Sequence, residues 1–411
     1  MMSKRVHRVV GVRVCPPLGE LIDSPFPIIP CMAKLPDALV LGGGIIGLTS
    51  AYLLAKAGMR VEVVDRQQFG REASWAGAGI LPPFNNPAGA TTPIDALRAY
   101  SMAGFAAFSA ELQASTGVDN GYRVCGGIEV LHPEAAYALP LWDAEGIAYE
   151  RIDGNELKRL EPLIADLAPL TLQLYHFPGF AQVRNPWHMR ALIAACELEG
   201  VTLTPGCPLE RWKLIDGRVR GVYDSQGHLH EAGSYLIANG AWAEDWLRPL
   251  GCEVGIHPVR GQIVLYSTSI GLSRVILDGK RYLVPRGDGR ILVGSTEEPE
   301  AGFVKATTPA GEVELRRFAE GWIPALSKAV VEKTWAGLRP VSADGMPHIG
   351  PVPGQTDVFA AVGHGRAGIQ LSLGTAHLVM DHMTGRSLPA HAGAFRLDRR
   401  PNPEYRPAFR S

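Results

Sequence analysis

The chain lacks most of what would mark a secreted, membrane-embedded or nucleic-acid-binding protein. Charge of one sign is missing, since 40 basic and 41 acidic residues leave a formal net charge of -1. No global field therefore draws in polyanions, and no basic tract interleaved with aromatics offers a nucleic-acid surface. Cysteine is scarce: Cys15, Cys31, Cys125, Cys196, Cys207 and Cys252 are scattered, with neither a C-x-x-C pair nor a Cys/His grouping at metal-ligand spacing. They read as reduced thiols of a cytoplasmic protein, and no metal site is expected. No apolar run approaches the roughly 20 residues of a membrane span. Internal repeats, low-complexity tracts and Ser/His/Asp or Cys/His arrangements are absent as well. What remains is a 411-residue chain, 46% hydrophobic, long enough for two domains or one large discontinuous one.

Residues 1–33 carry Lys4, Arg5, Arg8 and Arg13 among several prolines. Val9 to Val14 is too short for a signal peptide and is interrupted by Arg13. The expectation is a poorly ordered extension, with the organised chain starting beyond it.

Asp37 to Arg66, DALVLGGGIIGLTSAYLLAKAGMRVEVVDR, is the most informative stretch. It reads as strand, glycine turn, helix and second strand. Gly42, Gly44 and Gly47 make a G-x-G-x-x-G: the first allows the turn, the second lets a pyrophosphate approach the backbone, the third lets helix pack on strand. The helix from Ile45 offers its free N-terminal amides and positive dipole end to phosphates, with Ile46 beside them. Asp65, at the end of the second strand, stands where a carboxylate accepts hydrogen bonds from a ribose. Together these predict a dinucleotide site; a glycine turn serving packing alone leaves Asp65 without a purpose.

Downstream, Phe69 to Pro83 is rich in small residues, either a plain loop or a backbone lying against a flat, bulky ligand with Arg71 and Ser74 in reach of phosphate. Asp95 is expected to cap a helix over about 96–115 whose apolar stripe is Leu97, Tyr100, Met102, Phe105, Phe108 and Leu112. Trp142 to Ile164 reads as a helix-rich excursion broken by Gly154 and Pro162. A helix from Asn185 to about Gly200 and a strand over 201–204 return the chain to a βα rhythm. A hairpin over 218–230 and an apolar strand over 234–238 running into Asn239-Gly240 follow. From Val254 the pattern becomes strands, 262–266, 282–284 and 291–293, read as an antiparallel sheet, then a helix over 309–322. Near the end, a strand over 358–362, a loop of minimal side chains and a helix from Ile369 place another helix N-terminus beside a ligand.

The motifs VLGGGIIGL, GREASWAGAGIL, NGAWAEDW, PVRGQ, YLVPRGDGRILVGST, WAGLRPVSADGMPHIG and GHGRAGI occur in one order between about Leu35 and Arg399. In that order the chain resembles the glycine oxidase branch of the D-amino-acid oxidase and sarcosine oxidase flavoenzymes. The resemblance implies an α/β fold, in which a Rossmann-like FAD-binding domain of the glutathione-reductase type is interleaved with an α+β antiparallel-sheet substrate domain. The corresponding division is 34–95, 181–253 and 336–411 for FAD, and 96–180 with 254–335 for substrate. FAD is expected to be held by Gly42, Gly44 to Gly47, Asp65 and Arg66, by Arg71, Glu72, Ala73 and Ser74, and by Ala78, Gly79 and Ile80. Leu209, Gly240 and the run His364, Gly365, Arg366, Ala367, Gly368, Ile369 and Gln370 complete the set. Sarcosine oxidases commonly attach their flavin to a cysteine near the arginine after the last substrate-domain strand. Ala336 to Asp344 holds none, so the FAD is expected to be noncovalent.

By the same resemblance Arg339 is the carboxylate-binding arginine, Tyr282 an active-site tyrosine, Arg366 a loop arginine near flavin and substrate, and Ile80 a substrate contact. A planar, permanently charged guanidinium suits a carboxylate better than an ammonium does. The implied reaction is hydride transfer from the α-carbon of glycine or another small amino acid to flavin N5, hydrolysis of the imino acid to oxo acid and ammonia, and reoxidation by oxygen to hydrogen peroxide. The imine is also a candidate supply for thiamine thiazole synthesis, and a homo-oligomer is expected. The alternatives are a D-amino-acid dehydrogenase that passes electrons to a quinone or carrier, and a non-catalytic FAD-binding protein.

Overall fold

Ala38–Leu41 forms β1, Ile45–Lys56 forms α1 and Val61–Asp65 forms β2, as the pattern predicts. Side chains alternate across a strand, so β1 and β2 give Ala38, Val40, Val61 and Val63 to one core and Leu39, Leu41 and Val64 to another. Burial on both faces is why ALVL is an uninterrupted apolar run. The first core is closed by α1 and the helices Asn185–Leu198 and Gly368–Thr384. A small sheet of Leu209–Ile215, Arg218–Asp224 and Leu229–His230 closes the second. Its first strand begins at Leu209, where the resemblance implies a strand position.

The computed structural model describes residues 34–164, 173–402 and 406–409. The expectation for residues 1–33 lies outside them. In the sheet built around β1 the strand order is His348–Pro351, Val358–Val362, Tyr235–Ile237, β1, β2, Thr202–Pro205, parallel except for the first pair.

A second sheet has eight strands, in the order Val330–Val341, His257–Ser267, Arg290–Gly294, Arg281–Arg286, Val275–Asp278, Gly127–Leu131, Gln173–Phe177, Glu150–Ile152. It is antiparallel as expected, except that Val275–Asp278 runs parallel to Gly127–Leu131. Its two faces again follow the period of two. Val264, Tyr266, Leu283 and Val293 pack on Leu315, Ala319 and Trp322 of the helix Pro309–Trp322. Ile263, Tyr282, Val284 and Trp335 lie on the other face with Ala78 and Ile80. Alternation from Trp335 puts Gly337 and Arg339 on that same face.

Three local expectations change. The second long helix is Pro93–Thr116, capped by Thr92, whose Oγ1 accepts from the Asp95 amide at 3.2 Å. Asp95 instead sits inside the first turn, where its carboxylate takes the Thr92 hydroxyl and the Ala408 amide. Tyr100 is exposed and falls outside the apolar stripe. The 142–164 excursion contains a strand, Glu150–Ile152, and Gly154 opens a helix rather than breaking one. The strand Val330–Val341 also runs unbroken through residues 335 and 336, where the sequence reading placed a domain boundary. Among the described residues no helix is long and apolar enough to cross a membrane.

Candidate active site

The carboxyl ends of β1, β2, Tyr235–Ile237 and Val358–Val362 open onto a cavity of about 410 Å³, whose opposite wall is the second sheet. That is where ligands bind in sheets of this type. At one end, Gly42 has φ +108°, and a Cβ on it would lie 2.8 Å from the Ala238 carbonyl oxygen. Only glycine fits there. A Cβ on Gly47 would lie 2.0 Å from the Gly42 oxygen, so Gly47 is the packing glycine behind the turn rather than a lining residue. Helix α1 has no side-chain cap at Gly44, and its Ile45 amide donates to Ser74 Oγ at 2.9 Å. Gly44, Ile45 and Ile46 therefore present a helix N-terminus to the cavity.

Asp65 accepts from the Gly43 amide at 2.8 Å and the Gln67 amide at 3.0 Å. Burial raises its pKa while those two amides pull the other way. Each carboxylate oxygen keeps a lone pair for a ligand hydroxyl. The Arg66 guanidinium lies 3.7 Å from the centre of the Trp242 ring and 3.4 Å from Glu72. Asn239 Oδ1 is buried at the cavity wall without a hydrogen-bond partner among the described residues. Open helix amides, a buried carboxylate and an orphaned amide oxygen fit the phosphates, ribose and base of a dinucleotide.

Ala73, Ala78, Gly79 and Ile80 form the small-residue middle of the cavity. Arg286, buried behind them, pins this segment by donating to the Ala78 carbonyl at 2.7 Å and to Gln182 Oε1 at 2.8 Å. A Cβ on Gly337 would lie 2.5 Å from Ala76 Cβ, so the close approach of sheet and segment depends on that glycine. Leu209 and Gly240 also line the cavity. Arg71 does not: it is exposed, and its carbonyl accepts from Lys305 at 3.0 Å.

The far end gathers Tyr282, Arg339 and Arg366. Arg339 Nη2 donates to Ser295 Oγ at 2.5 Å and Nη1 to the Thr296 carbonyl at 3.3 Å. Among the described residues no carboxylate pairs with it. Burial, then the neighbouring Arg366 charge, lowers its pKa, while Tyr282 and Glu297 pull the other way. Two glycines make its room: a Cβ on Gly261 would lie 2.2 Å from Arg339 Nη2, and one on Gly294 2.6 Å from the Tyr282 ring. Arg366 is differently placed, 3.4 Å from Glu297, whose carboxylate also takes Lys280 at 2.6 Å.

The helix Gly368–Thr384 begins at Ala367 without a side-chain cap, and Gly368, Ile369 and Gln370 line the cavity. This is a second open helix N-terminus. Ala367 borders a smaller adjoining cavity of about 320 Å³ that shares Arg339, Gly365 and Arg366. His364 is buried with Nε2 3.0 Å from Thr375 Oγ1, and burial pushes its pKa down to about 3, so it is a neutral prop of the loop. Sequence reasoning missed Ser295, Glu297 and Asn239 as contributors. Asn239, next to the predicted Gly240, had a local signal; the other two act on arginines far along the chain and had none. Cys207, Asp224 and His230, which no sequence spacing links, bring their ligand atoms within 4.8 Å of one another.

A family model described as FAD dependent oxidoreductase matches residues 37–382. The chain belongs to that family. A glycine oxidase from Pseudomonas aeruginosa is 36% identical over 85% of this chain and 94% of its own. A D-amino acid dehydrogenase from Methylobacterium nodulans is 29% identical over 85% and 95%. The crystal structure of glycine oxidase from Geobacillus kaustophilus superposes with a TM-score of 0.82 at 27% identity, covering 89% of this chain and 99% of that one. The protein is thus an FAD-dependent oxidoreductase with the family's FAD-binding fold.

Proposed function

We propose that the enzyme oxidises glycine or a similarly small amino acid to the imino acid, which water hydrolyses to the oxo acid and ammonia. The observation that carries this reading is Arg339, a half-buried guanidinium facing the cavity without a carboxylate partner among the described residues. An uncompensated buried charge is costly, and a substrate carboxylate cancels that cost by a bidentate pair. FAD, when bound, would supply a two-electron acceptor whose electrons oxygen, with two protons, would take up to become hydrogen peroxide. The chain's own part is placement. Arg339 and Tyr282 fix the carboxylate, Ile80 and the Ala78–Gly79 backbone limit the room for a side chain, and the buried wall excludes water from the α-carbon. Gly44 to Ile46, Asp65 and Arg66 would hold the nucleotide half of FAD; the Gly368 to Gln370 amides would face its flavin half.

We further infer that the FAD is noncovalent, because the cavity's cysteine, Cys207, belongs to the nucleotide end. From the resemblance we also infer a homo-oligomer acting in the cytoplasm. The test is a screen of glycine, sarcosine, D-alanine and D-proline on the yellow protein, read by anaerobic bleaching and by peroxide in air. Bleaching by none of them refutes the proposal. Bleaching without peroxide, restored by a quinone, transfers it to the dehydrogenase reading that the Methylobacterium relative represents.

A further inference from the structure

Cys207, Asp224 and His230 come from the three strands and turns of the small sheet. Cys207 precedes Leu209–Ile215, Asp224 ends Arg218–Asp224, and His230 ends Leu229–His230. Backbone pairing fixes their neighbourhood, since Leu209 is in register with Asp224 and Val222 with His230. Three atoms converge. Cys207 Sγ lies 3.8 Å from Asp224 Oδ2 and 3.8 Å from His230 Nε2, and His230 Nε2 lies 3.4 Å from Asp224 Oδ2. A tetrahedral Zn²⁺ with ordinary Zn–S, Zn–N and Zn–O bonds sets S···O and S···N at about 3.6 Å and N···O at about 3.4 Å. The three edges therefore match one face of a zinc tetrahedron.

The surroundings are also those of a ligand set. Asp224 Oδ1 is occupied by the amides of Gln226 at 2.9 Å and His228 at 2.8 Å, which leaves Oδ2 turned toward the thiol and imidazoles. Behind His230, Nδ1 lies 3.9 Å from Glu62 Oε1, which itself accepts from the Thr204 hydroxyl at 2.9 Å. Among the described residues neither Asp224 nor Glu62 has a Lys or Arg partner, so two carboxylates and a thiol share one region without a fixed cation. His228 Nδ1, 3.1 Å from Asp224 Oδ2 on a largely exposed side chain, is within reach of the fourth position, which water otherwise fills.

We infer that Cys207, Asp224 and His230 form a binding site for a thiophilic divalent cation such as Zn²⁺, separate from the substrate end of the enzyme. Binding forms a Zn–S bond and releases the Cys207 thiol proton to solvent, with no change of oxidation state. The Cys207 amide donates to the Asp65 carbonyl at 2.9 Å, so the cation staples the small sheet to the strand that carries the ribose-binding carboxylate.

The test is equilibrium dialysis of the full chain with its flavin against Zn²⁺, with metal counted by mass spectrometry. One zinc per chain is expected, bound at least 10-fold more weakly in Cys207→Ser and in His230→Gln. In parallel, Zn²⁺ is expected to slow alkylation of Cys207, mapped by peptide mass spectrometry, at least 10-fold, with a chelator restoring the rate. This second readout uses the unaltered chain and stands even if a variant fails to fold. Less than one zinc per ten chains at 100 μM free metal, zinc retained equally by both variants, or an unprotected Cys207 would each overturn the site.

Discussion

The two ends of the cavity are built in opposite ways. The nucleotide end is local: Gly42, Gly44, Ile45 and Asp65 come from one strand–helix–strand unit, and its shape is set by backbone that only glycine permits. The substrate end is assembled over distance. Tyr282 arrives on one strand and Arg339 on another, brought together by the register of the eight-stranded sheet, and Arg366 joins them from the loop after Val358–Val362 of the other sheet. A local site is coded by spacing and tolerates no change of residue. A long-range site is coded by strand parity and tolerates substitution wherever parity and space survive.

That contrast is easiest to break at the nucleotide end. Gly47→Val puts a Cβ where 2.0 Å separates it from the Gly42 oxygen, so turn and helix must part. A cost of about 3 kcal/mol is expected from backbone strain and overpacking, or about 10²-fold in FAD affinity. The purified variant should come off the column largely colourless, with equilibrium binding of added FAD as the measurement. A yellow variant with ordinary FAD affinity would show that the turn is not what holds the cofactor.

Arg339→Ala addresses the other end. Removing the guanidinium that would hold the carboxylate should lower kcat/KM for the amino acid by about 10²-fold, mostly through KM. FAD content should stay unchanged, which separates the two ends in one experiment. Gly261→Ala is the subtler version, since its Cβ would lie 2.2 Å from Arg339 Nη2 and must push the side chain aside. About a 10-fold rise in KM is expected, on the scale of one displaced hydrogen bond. If Gly261→Ala instead lowers FAD content, the strand His257–Ser267 serves the cofactor rather than the arginine.

The same division explains what was readable in the sequence. Gly42 to Asp65 could be interpreted from neighbours within one motif, and the helix and strand bounds around it were predicted almost to the residue. Arg339 and Tyr282 could be named only through resemblance, because nothing near them in the chain says that Gly261 and Gly294 clear their space. Ser295 and Glu297, which hold Arg339 and Arg366, were invisible for the same reason. Thr92 displaced Asp95 as a cap because Pro93 is favoured at the first helical position, a signal that was present but passed over. The parallel pairing of Val275–Asp278 with Gly127–Leu131 had no local trace at all.

The smallest expected effect concerns acid. Three buried histidines are held neutral: burial lowers His364 to about 3 and His188 to about 4, and burial with the adjacent Arg399 lowers His348 to about 4. Two of them, His348 and His364, support the substrate end, where His364 bridges Val341 just beyond Arg339. Below the ordinary histidine pKa of about 6.5 the unfolded chain takes up protons that the folded chain refuses, so their stability contribution is complete above that pH and falls as pH drops toward 4. Each such group adds at most about 1.4 kcal/mol of destabilisation per pH unit in that window. Urea titrations from pH 7 to 5 should show this decline, and His364→Gln should remove up to one proton from its slope while keeping a hydrogen bond to Thr375. A slope unchanged in that variant would mean that His364 is already charged in the folded protein, and the neutral prop beneath Arg366 would have to be abandoned.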